Sequence, residues 1–318
     1  MADHRARYGP QNPDETYLPH EIAEQLVDLG EIEMNYATAG DPSHPALLLI
    51  AGQTESWWGY EAVLPLLAEH FEVFAVDLRG QGRSTRTPGR YTLDTMGNDL
   101  VRFIDGVIGR PTIVAGLSSG GVLSAWLSAY APPGLVVGSY YEDPPLFASQ
   151  TRPSTGQSID QCIGPVFALF SKYLGDQWSI GDWDGLVAAI HHELPPMLGM
   201  VAGALGGSAE PSQNLKEYDP EWGRAFWTGS VAAACDHERM LSSVKVPVLL
   251  SHHFRKIDEV SGTLLGAISD LQVERVRQLV TEAGNAFDYV SLPAMGHSLH
   301  GQDPALYVDT LVGWAETL

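Results

Sequence analysis

The feature that most constrains this chain is Gly116-Leu117-Ser118-Ser119-Gly120, a G-x-S-x-G pentapeptide set between an apolar run, Pro111 to Ala115, and a helix-like stretch. That context places Ser118 where a strand turns sharply into a helix, the geometry of a nucleophile elbow. The turn is tight, so Gly116 and Gly120 remove Cβ atoms that would clash and leave the serine hydroxyl raised at the sheet edge. The pentapeptide alone is a weak signal. It gains weight from Met295-Gly296-His297, which follows the strand-like run Phe287 to Leu292 about 180 residues further on.

Seven more segments complete the pattern of a mostly parallel sheet. Gln25 to Leu29 and Glu31 to Ala37, separated by Gly30, read as a hairpin, and Ala46 to Ala51 reads as a strand buried on both faces. Glu72 to Val76, Thr112 to Leu117, Leu135 to Tyr141 and Pro247 to Ser251 are further short apolar strands, mostly separated by helical stretches. Together with Phe287 to Leu292 they predict an α/β fold with an eight-stranded sheet flanked by helices. Helix starts are legible as a capping box at Ser269 and Gln272, and as Asp-Pro pairs at Asp303-Pro304 and Asp219-Pro220.

The alternation breaks between about Pro145 and Ser243, a mostly helical stretch without convincing strands. We read residues 145–243 as a cap inserted after the sixth strand, 23–144 and 244–318 as the core, and the proline-bearing residues 1–22 as an N-terminal arm. The cap holds four of the eight tryptophans, Trp178, Trp183, Trp222 and Trp227. Aromatic residues here serve packing of cap on core and also offer flat apolar walls to a ligand.

Composition narrows the function. Eighteen basic residues against 39 acidic ones give a net charge of −21, which argues against nucleic acid or an anionic membrane as partner. No apolar stretch approaches the roughly 18 residues of a membrane span, and Met1 to Gln11 lacks the apolar core of a signal peptide. Only Cys162 and Cys235 occur, so a disulfide framework is not expected and a reducing, cytoplasmic setting is favoured. The adjacent pairs His191-His192 and His252-His253 cannot both face one metal, and His297 with His300 lacks a third ligand, so no metal or other cofactor is expected. Asp77 to Ser84 is glycine-rich but lacks a Walker lysine and a G-x-G-x-x-G pattern, and reads as structural.

A serine needs a base within hydrogen-bond reach, and that base needs an orienting acid. Ser118 and His297 fill the first two roles. Two acids compete for the third: Glu142, at the end of the sixth strand, and Asp258, in the loop after the seventh. Asp143 reads as a turn residue. Acyl transfer also needs two main-chain N–H donors, which the positions assign to Ser119 and Gln53, with Gly52 allowing close backbone approach.

The elbow, the Asp77 to Ser84 loop and the late histidine together resemble the α/β-hydrolase superfamily. Within it the chain resembles the zearalenone hydrolases, which open the macrocyclic ester of a resorcylic acid lactone. The resemblance runs from about Val27 to Trp314 and is most specific in the cap, at Leu174 to Trp183 (LGDQWSIGDW) and Asn214 to Phe226 (NLKEYDPEWGRAF). It implies an α/β-hydrolase fold and an acid about 24 residues beyond the serine, which selects Glu142 over Asp258. It also implies that Trp222 and Phe226 contact the ligand. Gly52 departs from the pattern, standing where relatives often carry an acidic residue that contacts substrate. The implied reaction is serine attack on the lactone carbonyl of a small apolar substrate, after which the opened acid loses carbon dioxide unaided. Other enzymes sharing this triad, aryl esterases and carbon-carbon bond hydrolases, differ mainly in cap and pocket, and a ligand sensor on the same fold would keep the pocket without turnover. The long arm suggests a homo-oligomer.

Overall fold

The computed structural model describes residues 18–194, 198 and 210–318; most of the expected N-terminal arm and part of the expected cap lie outside them. Eight strands form one sheet: β1 (Glu24–Asp28), β2 (Glu33–Ala39), β3 (Ala46–Ile50), β4 (Glu72–Val76), β5 (Thr112–Leu117), β6 (Val136–Glu142), β7 (Val248–His252) and β10 (Phe287–Ser291). Two short strands, β8 (Lys256–Ile257) and β9 (Leu264–Leu265), pair apart from it. The sheet order is β1-β2-β4-β3-β5-β6-β7-β10. Within this sheet only the β1–β2 and β2–β4 pairings are antiparallel.

The apolar runs become central strands because both faces of the sheet are covered. Successive side chains of a strand point to opposite faces. Leu48 and Ile50 of β3, Val114 of β5 and Leu250 of β7 therefore join one core layer, while Leu47 and Leu49, Ile113 and Ala115, and Leu249 join the other. Truncating any of these buried leucines to alanine would cost about 2–5 kcal/mol. The hairpin differs slightly from expectation: β2 starts at Glu33 because Leu29 to Ile32 are used by the turn, closed by Leu29 N–H donating to Ile32 O at 2.9 Å, with Gly30 at φ 88°.

The helix-start signals are realised. Ser269 and Gln272 cap the helix Asp270–Glu282 reciprocally, and Asp303 accepts from Leu306 N–H at 3.0 Å at the head of Pro304–Ala315. After β6 the chain leaves the sheet and regains it at β7. The described part of that excursion contains the helices Gly164–Tyr173, Trp183–Glu193 and Glu221–Trp227. Among the described residues no helix is long and apolar enough to cross a membrane.

Strand order reverses at β3, which lies between β4 and β5. Ligands of open α/β sheets bind outside the carboxyl ends of the strands at such a switch point. The segments after β3, β5, β6, β7 and β10 all converge there.

Backbone segments also approach one another closely at this edge. A Cβ on Gly120 would stand 2.1 Å from Ile50 O and 2.8 Å from Ala51 O, and one on Gly116 would stand 2.3 Å from Gly120 O. These are backbone atoms with no flexible end to yield. Gly120→Ala is expected to destabilise the protein by about 1–3 kcal/mol, measured by urea unfolding; an unchanged midpoint would show that the helix Ser119–Tyr130 can shift outward freely.

Candidate active site

Ser118 sits at φ 55°, ψ −121°, between the end of β5 and the first residue of the helix Ser119–Tyr130. A non-glycine residue in that region is strained, and strain persists only where the surroundings enforce it. Here Ser118 N–H donates to Glu142 O at 2.9 Å, Leu117 N–H donates to the Tyr60 hydroxyl at 3.2 Å, and Ser118 O accepts from Val122 N–H at 3.1 Å. Of the five described non-glycine residues with positive φ, three line one cavity: Thr54, Ser118 and Asp143. Backbone strain is thus concentrated at this edge of the sheet.

The cavity measures about 380 Å³ and also exposes Gln53, Ser119 and His297 on its wall. Its apolar side comes from Ile163, Val166, Phe167, Phe170 and Phe226 of the segment between β6 and β7 and, beyond β7, from Phe254. Among the described residues that line it, Asp143, Cys162 and His297 carry the ionisable side chains, and none is a lysine or arginine. Among the described residues no acceptor takes the main-chain N–H of Gln53 or Ser119. Two donors from different loops are therefore available at the wall of the cavity that Ser118 lines.

The acid is where the sequence reading fails. His297 Nδ1 donates to Asp143 Oδ2 at 2.7 Å. An ionised carboxylate can only accept, so the ring proton is held on Nδ1 and Nε2 is left basic. Asp143, 1% exposed, is itself fixed: its Oδ1 accepts from His253 N–H at 3.1 Å and its own N–H donates to Ser251 O at 2.9 Å. Glu142 faces the other side of the sheet. Its Oε2 accepts from His300 Nδ1 at 2.8 Å and its Oε1 accepts from Leu299 N–H at 2.7 Å and His300 N–H at 3.2 Å. The reason is the pleat: Glu142 shares the face of Tyr140, whereas the turn at Asp143, φ 41°, sends the next carboxylate toward the cavity. The assignment of Glu142 as the partner of His297 is corrected to Asp143. Asp258 does not compete, because its Oδ2 accepts from Ser261 N–H at 2.9 Å within the β8–β9 turn.

The two histidine–carboxylate pairs respond to burial differently. Burial pushes the Glu142 carboxyl up, but the charge and hydrogen bond of His300 outweigh it and hold Glu142 below its ordinary range. Crowding disfavours the charged form of His297, but the Asp143 hydrogen bond and charge prevail and raise the imidazole above its ordinary value. Burial raises the Glu55 carboxyl, which lies 4.0 Å from His300 Nε2.

The remaining expected contacts divide. Phe226 lines the cavity. Trp222 does not: it is fully buried, donates from Nε1 to Arg79 O at 2.6 Å, and stacks behind Phe226 with ring centroids 6.3 Å apart. It supports the wall instead of forming it. Gly52 also lies off the cavity wall. A Cβ there would stand 3.2 Å from the Ser118 Cβ, so this glycine spaces the oxyanion loop from the elbow. The aromatic wall of Phe167 and Phe170 escaped sequence reasoning, since apolar residues at helical spacing read first as core.

The α/β hydrolase family model matches residues 47–310, and the chain belongs to that family. Among curated relatives, 3-oxoadipate enol-lactonase 2 of Acinetobacter baylyi is 29% identical over 32% of this chain and 38% of its own length. The soluble epoxide hydrolase of a Corynebacterium species is 38% identical over 25% of this chain and 27% of its own. The chain thus spans under two-fifths of these two relatives. Among solved structures, the enol-lactonase of Burkholderia xenovorans LB400 superposes with a TM-score of 0.65 at 16% identity, covering 92% of this chain and all of that one. An esterase of Rhodococcus sp. ECU1013 gives 0.65 at 20% identity over 94% of this chain and all of that one. These likenesses establish the shared fold.

The His297–Asp143 pair carries a direct expectation. In a histidine NMR titration, Asp143→Asn should lower the His297 midpoint, whereas Glu142→Gln should leave it raised and instead lower the unfolding temperature. A midpoint that moves with Glu142 alone would restore the original assignment.

Proposed function

We propose that this chain is a serine carboxylic ester hydrolase that opens the macrocyclic lactone of zearalenone. The observation that carries the reading is the 2.7 Å pair of His297 and Asp143 on the wall of the cavity that also exposes the strained Ser118. In the first half-reaction Ser118 Oγ bonds to the lactone carbonyl carbon while His297 Nε2 takes its proton. The oxyanion is held by the N–H groups of Gln53 and Ser119, each such donor contributing roughly two to three orders of magnitude. The carbon–oxygen ester bond breaks, and His297 gives the proton to the departing alkoxide, which stays tethered to the acyl group because the substrate is cyclic. Water then attacks the acyl-enzyme with His297 as base, releasing a hydroxy acid and restoring Ser118. Loss of carbon dioxide from that resorcylic acid would follow without the enzyme.

The substrate class rests on the cavity. Apolar ligand sites of about 300–1,000 Å³ suit molecules of this size, and a wall of Ile163, Val166, Phe167, Phe170, Phe226 and Phe254 without a cation favours a bulky neutral ester over a carboxylate. A net charge of −21 also disfavours anionic substrates at long range.

Mass spectrometry of purified protein with zearalenone should show the ring-opened product, with Ser118→Ala abolishing turnover while retaining binding. Rapid turnover of short phenyl esters with no lactone opening would replace the lactone reading by a general aryl esterase. Asp143→Asn should lower kcat/KM by about 10³–10⁴, and Asp258→Ala should leave it within about twofold.

The pH dependence follows from His297. The base must be neutral to accept the serine proton, and its affinity for a proton is raised by Asp143. Activity should therefore fall as pH drops through a midpoint above the ordinary histidine value of about 6.5, and in Asp143→Asn the residual activity should persist to lower pH. A kcat/KM profile flat from pH 5 to 8 would remove His297 from the base role.

A further inference from the structure

Two side chains from the segment before the helix Glu221–Trp227, Asn214 and Tyr218, reach the loop that carries Gln53 and Thr54. Tyr218, 1% exposed, lies between the helices Gln213–Lys216 and Glu221–Trp227, and its hydroxyl donates to Gln53 Oε1 at 2.7 Å. The direction of that bond follows from its partner, because an amide oxygen can only accept. The two ends of an amide are chemically opposite. With its carbonyl oxygen held by Tyr218, Gln53 must turn its NH₂ group away, and among the described residues no protein acceptor takes Nε2. Gln53 lines the cavity, so a donor of dictated orientation stands beside Ser118.

The support behind Tyr218 is stiff. Asn214 Nδ2 donates to Thr54 O at 2.7 Å, Trp58 Nε1 to Glu217 Oε2 at 3.0 Å, Asp219 N–H to Gly80 O at 2.8 Å, and Trp222 Nε1 to Arg79 O at 2.6 Å. These bonds bind residues 214–222 to the core on both sides of the tyrosine. A recognition group set by such a shell keeps its geometry before ligand arrives, which is the condition for discrimination.

We propose that Tyr218 is a positioning residue that locks the Gln53 amide with its NH₂ toward the cavity, making the Gln53 side chain a specificity-determining donor to an oxygen acceptor on a neutral substrate. The role is separate from the Gln53 main-chain N–H, and it rests on the reading of this cavity as the substrate site.

Binding, measured by titration calorimetry on Ser118→Ala protein, tests this independently of turnover. The probes are zearalenone, which carries acceptor oxygens, and biphenyl, which has none. Gln53→Ala, which keeps the main-chain donor, and Tyr218→Phe should each weaken zearalenone binding by about 3–10-fold and leave biphenyl unchanged. The double variant should bind zearalenone no more weakly than Gln53→Ala alone, since Tyr218 acts through Gln53. The proposal is overturned if the two probes weaken together, if the single penalties multiply, or if the Ser118→Ala parent binds neither probe. Absence of lactone hydrolysis in the unaltered protein, with this binding pattern intact, would refute the proposed reaction and leave the Gln53 assignment standing.

Discussion

Two adjacent carboxylates at the end of β6 organise the site, because each is buried and each therefore requires a partner. An unpaired buried charge costs several kcal/mol, so Glu142 and Asp143 must each find a cation or a set of donors. The pleat sends them to opposite faces. Asp143 takes His297 and the His253 N–H, while Glu142 takes His300 together with the first N–H groups of the helix Leu299–Gln302. Both histidines belong to one loop-helix segment three residues apart, so the two pairs grip it from both sides of the sheet. His297 is thereby held at the cavity by a frame that also anchors the residues directly after it.

That frame explains why the strained elbow can be rigid. Glu142 O accepts from Ser118 N–H, and Tyr60, which stacks on His300 with centroids 4.0 Å apart, accepts from Leu117 N–H. The nucleophile loop and the histidine loop therefore share neighbours in Glu142 and Tyr60, although neither residue touches the cavity. The segment between β6 and β7 reaches the third side through Tyr218 and Asn214. Serine, histidine and oxyanion donors are thus positioned by main-chain hydrogen bonds and buried rings more than by contact with one another.

The sheet was readable from the chain because fully buried parallel strands leave uninterrupted apolar runs, as in Ala46–Ile50 and Thr112–Leu117. Gly116 and Gly120 were readable because steric exclusion at a strand-to-helix turn is local. The acid was not. A separation of about 24 residues locates a carboxylate near the right strand end, but a shift of one residue reverses the face, and only the φ of 41° at Asp143 resolves which of two neighbours meets the imidazole. Trp222 failed for another reason. Its large ring suits a ligand wall, yet its indole N–H needs an acceptor once buried, and Arg79 O, supplied by a loop far away in sequence, draws it out of reach of the cavity.

The net acidic composition and the largely apolar cavity wall fit one another physically. A chain with 39 carboxylates and 18 cations is strongly net negative, so a lysine or arginine inside the pocket would be needed to hold an anionic substrate, and none lines it among the described residues. A net negative charge would also favour the charged form of His297, in the direction that Asp143 already sets. It also works against retention of a carboxylate product. In the proposed reaction a neutral ester becomes an acid, so the charge created would weaken the hold of an apolar cavity on the product, and product departure would be favoured by the step that formed it.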